Sequence, residues 1–453
     1  MNNTINEKRG EIKMEHISTS KKLILGLQHV LAMFGATVLV PILTGLDPGV
    51  ALLCAGVGTL VFHGTTKGIV PVFLGSSFAF ITAIAINLQT LGIGAVKGGI
   101  IATGLVYVLM AGVIKLVGVE RVKSFFPPVV VGPIIMVIGL RLSPTAIQMI
   151  GYTPIMNENP EGAKMAEVLV ANGFNVDASI FNKTSDIFQI DPKSLIVASI
   201  VVITMIMVSI FAKGFFKLVP ILISVLVGYV AALCLGMVDT STIALAPWIG
   251  FSQTGLEHFM ALPSFSWEAI IGIAPIALVV FIEHIGDITT NGAVVGKDFF
   301  ANPGIHRTLL GDGLATMVAG FIGGPANTTY GENTGVLAVT KVYNPQILRI
   351  AALIAIILSL CGKFTAIIQT IPPSVMGGIS IILFGMIASV GVRTLVDAQL
   401  DFTHSRNLII AAIIFVTGIG INNIAVVGTI TVSGLAIAAL IGVVLNKLLP
   451  ENI

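Results

Sequence analysis

The chain has 453 residues, of which 55% are hydrophobic and only 10% charged, and its mean hydropathy is +1.00. A soluble domain carries about 25% charged residues, and a soluble chain of this composition would expose more apolar surface than water tolerates, so lipid is the solvent that fits. The net charge of +2 is too small to argue for a nucleic-acid partner.

Residues 1–21 are polar and lack the apolar stretch of a cleavable signal, which predicts a cytoplasmic tail. A helix needs about 20 apolar residues to cross the hydrocarbon core. Such spans are predicted at 22–44, 48–64, 77–92, 98–116 and 123–142. A polar insert at 143–193 follows, with Glu158, Glu161, Glu167, Asp177, Asp186 and Asp191. Spans at 194–212 and 218–237 complete a first set of seven. The segment 238–267 holds Trp248 and Trp267, a residue type enriched at membrane interfaces. Both polar segments read as extracellular loops. The second set is predicted at 268–290, 307–323, 332–343, 346–366, 373–391, 407–424 and 427–447. The fold class expected is an all-α membrane protein of about fourteen transmembrane segments.

Seven spans per half invert the second half relative to the first. Threaded from a cytoplasmic N-terminus, most basic residues fall inside, from Lys8, Arg9 and Lys13 through Lys115, Arg121 and Lys217 to Arg393, Arg406 and Lys447. Only Lys97, Arg141, Lys164, Lys183, Lys193 and Lys363 fall at the outer face. This obeys the positive-inside rule and places both termini in the cytoplasm.

Two internal correspondences support the repeat. Pro127-Pro128-Val129-Val130-Val131-Gly132 and Pro372-Pro373-Ser374-Val375-Met376-Gly377 each open the fifth span of a half. In the third span of each half, Pro71-Val72-Phe73-Leu74-Gly75-Ser76-Ser77-Phe78 and Asn327-Thr328-Thr329-Tyr330-Gly331-Glu332-Asn333-Thr334-Gly335, each a short extended-type run followed by Gly and polar residues, interrupt the apolar pattern. Interrupted segments at matching places in inverted halves point to a transporter's binding site, where half-helix N-termini aim free N–H groups at a cavity.

Ionisable groups within spans are costly and usually functional. The eighth span holds Glu283, His284 and Asp287, and the two carboxylates, four apart, share a face that His284 leaves. Glu332 and Asn333 follow the Gly331 break directly, and Gln28 and His29 lie in the first span. Few basic partners lie at the depth of Glu283, which argues against a buried ion pair. Asp287, one turn nearer the cytoplasm, fits an interfacial position equally well. His284 and His29 read as packing histidines. Carboxylates accept and half-helix N-termini donate hydrogen bonds, so the matching ligand is small, planar and rich in N–H and C=O groups, as an oxo-pyrimidine or oxo-purine is. Burial favours a protonated carboxyl group, so Glu283 or Asp287 is expected to carry a co-transported proton. Cys54, Cys234 and Cys361 form no CxxC or Cys/His cluster, and no metal or other cofactor is expected. No nucleophile–base pair appears, so an enzyme is not expected.

The motifs Gln28-His29-Val30-Leu31-Ala32-Met33-Phe34-Gly35-Ala36-Thr37, Leu74-Gly75-Ser76-Ser77-Phe78-Ala79-Phe80, Glu283-His284-Ile285-Gly286-Asp287 and Thr328-Thr329-Tyr330-Gly331-Glu332-Asn333-Thr334-Gly335 carry a family resemblance. From Gln28 to the last span the chain resembles the nucleobase–ascorbate transporters (nucleobase:cation symporter family 2), nearest their bacterial uracil permeases. The resemblance implies a core domain from 22–117 and 268–367 and a gate domain from 118–237 and 368–453, with loops at 143–193 and 238–267. It implies uracil import by proton symport in the plasma (inner) membrane and a homodimer through the gate. By the same resemblance Glu283 and Glu332 hold the base, and backbone N–H groups near Phe78 and Gly331 meet its carbonyls. Tyr330, Ser77 and Ala32 line the pocket, with Asn333, His284 and Phe384 in support. Two positions depart from the uracil pattern. Asp287 stands where those permeases carry His and purine carriers carry Asp, and Phe384 replaces a tyrosine. A purine (xanthine or urate) symporter therefore stays open. So does an anion channel or exchanger, because inverted seven-span repeats occur there too.

Overall fold

The computed structural model describes residues 18–158, 160–171, 183–421, 423–427 and 430–450. Residues 1–17 of the expected tail and Asp177 of the 143–193 segment lie outside them. Among the described residues, seven helices are long and apolar enough to cross a bilayer, and a bent pair makes an eighth. Each of the fourteen predicted spans contains a helix, with several outlines revised.

Helix α1 (Thr19–Thr44) starts where Ser18 accepts the Lys21 N–H, and α2 (Pro48–Thr65) where Asp47 accepts the Val50 N–H. Both caps satisfy donors that a helix start leaves orphaned. The chain then runs extended through β1 (Leu74–Ser76) and a 3₁₀ turn, Phe78–Phe80, into α3 (Ile81–Val117). The predicted third and fourth spans are joined in α3 and separated by a kink at Gly92, whose φ of +80° suits glycine. Next come α4 (Pro128–Arg141) and a short helix, Ser143–Met149, where a loop was expected. Among the other described residues of that segment, β2 (Tyr152–Glu158) pairs antiparallel with β3 (Lys183–Ile190), and the helix Pro160–Ala171 lies between them in sequence. Then follow α5 (Pro192–Phe211), α6 (Pro220–Cys234) and, within 238–267, α7 (Gln253–Met260).

The second half opens with a short helix, Trp267–Ile273, leading into α8 (Ala277–Val295). It continues through α9 (Ile305–Ile322), β4 (Asn327–Thr329) and α10 (Gly331–Thr340). The predicted span 346–366 is two helices, α11 (Pro345–Ser359) and α12 (Gly362–Gln369), bent by 82°. Long helix α13 (Pro373–Asp397) and α14 (Ser405–Gly420) come next. The last predicted span begins at 434, because a hairpin of β5 (Asn423–Val427) and β6 (Ile430–Ser433) precedes α15 (Gly434–Leu448).

Two packing groups result. Helices α1, α2, α3, α9 and α11 pack together, as do α4, α5, α6, α13, α14 and α15. Small residues let the backbones approach. A Cβ on Gly104 of α3 would lie 2.5 Å from the Gly313 carbonyl of α9, and one on Gly391 of α13 would lie 2.5 Å from the Gly132 carbonyl of α4. Such contacts drive helix association where lipid removes the hydrophobic incentive. Lys97 of α3, read as an outer-face residue, is 1% exposed. Its Nζ donates to the carbonyls of His258 (3.0 Å), Phe259 (3.3 Å) and Ala261 (2.6 Å) at the end of α7. One end of the bundle thus carries the 143–193 and 238–267 segments. The start of α1 and the end of α15 lie at the other.

At mid-depth β1 and β4 pair antiparallel, with Leu74, Gly75 and Ser76 opposite Thr329, Thr328 and Asn327. The ladder continues symmetrically, from the Tyr330 N–H to the Phe73 carbonyl (3.0 Å) and from the Ser77 N–H to the Ala326 carbonyl (2.9 Å). The outer edges are closed alike. Thr59 of α2 accepts the Leu74 N–H (2.9 Å), and Thr316 of α9 accepts the Asn327 N–H (3.3 Å). This is the local signature of an inverted repeat, and it satisfies backbone that lipid could not. It also sets the correspondence: Ser77 matches Tyr330 and Phe78 matches Gly331. Gly75 and Gly331, which the sequence patterns align, are not equivalent.

Candidate functional site

The half-helices leave the strand pair in opposite directions. The 3₁₀ turn and α3 start at Phe78, and α10 starts at Gly331. Their first N–H groups have no partner within the helix and face the middle of the molecule. Phe78 is half-buried, and its ring meets Phe384 of α13 edge-on at 6.3 Å between centroids. That contact joins the two packing groups.

Helix α8 supplies the acidic groups. Glu283 and Asp287 are both half-buried on one face. Asp287 Oδ2 accepts from Thr329 Oγ1 at 2.8 Å, and Asp287 Oδ1 would lie 3.8 Å from a Cβ placed on Gly331. Asp287 therefore sits at the junction of β4 and α10. Glu332, half-buried, is within electrostatic reach of Glu283 and Asp287. Gly286, Gly331 and Gly335 are exposed beside these groups.

The other predicted residues hold this geometry rather than open onto it. Tyr330 is 4% exposed, its hydroxyl donates to the Ser76 carbonyl (2.8 Å), and its ring covers Gly75. Asn333 Nδ2 donates to His29 Nδ1 (3.1 Å) and to the His29 carbonyl (3.0 Å), fixing α10 to α1. Ser77 and Ala32 are buried, and among the described residues the Ser77 hydroxyl has no hydrogen-bond partner. Phe384 is buried behind its contact with Phe78.

His284 turns away from the site. Its Nδ1 lies 2.7 Å from Asp312 Oδ2 and its Nε2 lies 2.9 Å from Thr308 Oγ1, both on α9. Thr308 gives its own proton to the Ile305 carbonyl (2.9 Å), so it accepts from Nε2–H. Asp312 was not picked out by sequence reasoning. Its signal was available, since it is a lone acid between Gly311 and Gly313 inside a predicted span. Thr329, Thr59 and Thr316 were also missed, because a threonine in an apolar stretch reads as filler until its partner is known. Asn291, which donates to the Pro71 carbonyl and to Thr334 Oγ1 (both 3.1 Å), ties α8 to both broken segments. Among the described residues no three His, Cys, Asp or Glu side chains are grouped to hold a metal ion. The arrangement offers backbone donors from two helix starts, carboxyl acceptors from α8 and α10, and an aromatic pair. It suits a flat ligand with both carbonyl and N–H edges.

A family model described as the permease family matches residues 20–176 and 162–427. A probable uracil permease of Haemophilus influenzae is 41% identical over 437 residues, 96% of each chain. The uracil permease of Bacillus caldolyticus is 43% identical over 432 residues, covering 94% of this chain and 92% of that protein. Among solved structures, the transmembrane domain of the cyanobacterial bicarbonate transporter BicA superposes with a TM-score of 0.61 at 16% identity, covering 94% of this chain and 96% of that one. SLC26A9 superposes with a TM-score of 0.63 at 15% identity, covering 94% and 64%. The chain belongs to the permease family of membrane transporters, and it shares its fold with these anion-transporter structures.

Proposed function

We propose that this permease imports uracil by proton symport with alternating access. The observation that carries the reading is the convergence of Glu283, Asp287 and Glu332 on the two half-helix starts at the β1–β4 pair. Uracil's N–H groups would meet Glu283 and Glu332, and its carbonyls the N–H groups near Phe78 and Gly331. The names of the relatives support the substrate. A carboxyl group on α8, Glu283 or Asp287, carries the coupled proton. Helices α1–α3 and α8–α12 act as the core and α4–α6 with α13–α15 as the gate, in about fourteen spans of two inverted repeats. The positive-inside pattern puts both termini in the cytoplasm of a cell whose plasma membrane holds the protein, as a homodimer through the gate.

Proteoliposome uptake of labelled uracil, with and without an imposed pH gradient, tests the reading. Accumulation against the uracil gradient is expected only with the proton gradient. Glu332→Gln is expected to abolish uptake while inserting normally, and normal uptake by that variant would remove Glu332 from the site. Asp287 favours a second reading, a purine symporter, because its carboxylate accepts where uracil carriers of the best-known kind place an imidazole. Competition by unlabelled xanthine or urate stronger than by uracil would establish it. Conductance without proton coupling would instead point to an anion channel or exchanger.

A further inference from the structure

Segment 238–267, which joins α6 to the second half, is chemically two-sided. Its polar backbone is fastened to the bundle. Lys363 Nζ of α12 donates to the carbonyls of Ile243 (2.7 Å) and Ala244 (2.8 Å). The Gly250 N–H donates to the Leu360 carbonyl (2.8 Å), and Ser252 Oγ to Asp47 Oδ2 at the start of α2 (2.6 Å). Lys97 holds the carbonyl end of α7, and the Ser264 N–H donates to the Gly94 carbonyl of α3 (2.9 Å). The large apolar side chains are left on the outside. Leu245, Trp248, Ile249, Leu262, Phe265 and Trp267 are between 62 and 86% exposed. Helix α7 repeats the division. Gly255 and His258 are buried, while Leu256, Phe259 and Met260, three and four residues apart, form an exposed face beside Gln253 and Glu257.

We propose that segment 238–267 is seated in the bilayer leaflet at its end of the bundle, with its apolar side chains at the boundary between headgroups and acyl chains. Apolar side chains clustered in this way mark a membrane or protein contact, not a loop in water. Three features select lipid. Tryptophans stand near both ends of the patch, and Lys363 Nζ lies 5.8 Å from the centre of the Trp248 ring, so indole and ammonium share the headgroup level. The apolar stripe of α7, with polar residues beside it, suits a helix lying in the plane of the interface. The patch also continues an exposed apolar face of α6, Leu226, Val230 and Leu233, which leads straight into the segment. The attraction is hydrophobic. Asp239 and Glu257 are the charged residues between 238 and 267, with no lysine or arginine, so anionic headgroups add nothing.

The chain's two tryptophans are Trp248 and Trp267, so the intrinsic fluorescence of the full-length protein reports this segment alone. The test is quenching in phosphatidylcholine vesicles by lipids brominated near the headgroup end or near the methyl end of the acyl chain, and by aqueous acrylamide. The shallow quencher is expected to lower the emission by about half, because interfacial side chains reach only about 5–10 Å into the leaflet. The deep quencher and acrylamide should each do less. W248F and W267F, with one indole apiece, should give the same order. Replacing part of the phosphatidylcholine by phosphatidylglycerol should change nothing, and a dependence on the anionic lipid would overturn the apolar mode of seating. Strong quenching by acrylamide with none by either lipid would make the segment an aqueous loop and overturn the proposal. Emission untouched by all three quenchers would put protein over the patch, such as a second copy of this chain, and would overturn it equally. Stronger quenching by the deep lipid would place the segment in the hydrocarbon, against an interfacial seat.

Discussion

Two glycines of the broken segments carry different constraints. A Cβ on Gly75 would lie 2.4 and 2.5 Å from Tyr330 ring carbons and 2.8 Å from Thr37 Oγ1. Gly75→Ala must therefore push Tyr330 off the strand pair and break its bond to the Ser76 carbonyl. Overpacking of this kind costs about 1–3 kcal/mol. The expected outcome is a clear fall in the thermal midpoint of the purified protein, together with lost uptake. At Gly331 the added Cβ would meet only Asp287 Oδ1, at an ordinary 3.8 Å. Gly331→Ala should keep its thermal midpoint and raise KM for uracil, because the methyl group occupies ligand space. Equal stability of the two variants would contradict the placement of Tyr330. Asp312 allows a ranking. In Asp312→Ala, His284 Nδ1 is left buried without its hydrogen-bond partner, at about 1–3 kcal/mol. Asp312→Asn keeps an oxygen acceptor there, so thermal stability should run Asp, Asn, Ala in falling order. Glu283 and Glu332 stand out in the sequence because a carboxylate in an apolar span is costly and demands a partner or a function. Tyr330 was not legible as a brace, because its partner is a backbone carbonyl 254 residues away in sequence.

Among the elements, periodicity located the helices but not their breaks. The bend between α11 and α12 falls at Leu360 and Cys361, in a run that is apolar but for Ser359 and offers no proline or glycine before Gly362. Tertiary contact decides it: a Cβ on Gly362 would lie 2.5 Å from the Pro247 carbonyl, so the 238–267 segment pins the start of α12. The β1–β4 pair, by contrast, was announced by its extended-type residues, and only its register needed the structure. Lys97 belongs at this scale too. An outward lysine at the end of a span is normally a solvated anchor, yet here it closes the carbonyl end of α7, where a cation also suits the helix dipole. Lys97→Met removes three charge-assisted bonds while keeping the apolar stem, at about 1.5–3 kcal/mol for each bond lost. Local opening, rather than global unfolding, should absorb most of that. Amide exchange across 253–261 is expected to accelerate at least tenfold while the β1–β4 amides exchange as before. Unchanged exchange at α7 would show that the segment is held by something else.

For the whole molecule, the question is whether the two packing groups move past each other. One contact between them at mid-depth is Phe78 on Phe384. On one side of it lies a narrow crevice lined by Arg141 and Thr82. On the other, Thr290 is exposed about one turn beyond Asp287 on the carboxylate face of α8, and Gly335 is exposed on α10. The carboxyl groups thus communicate with the end that carries the chain termini, and the aromatic pair closes the opposite path. If this is one state of an alternating cycle, access at the two ends must be mutually exclusive. Cys54 is buried, so replacing only Cys234 and Cys361 by serine leaves a quiet background for single cysteines at Thr82 or Thr290. A membrane-impermeant thiol reagent applied to each face should label Thr290→Cys quickly and Thr82→Cys slowly in the resting protein. Conditions that speed one should slow the other, since the two rates follow the populations of two states in one equilibrium. Simultaneous fast labelling at both positions would mean an open pore. The protein would then be a channel with carboxylates in its path, and the coupling assigned to Glu283 and Asp287 would have no structural basis.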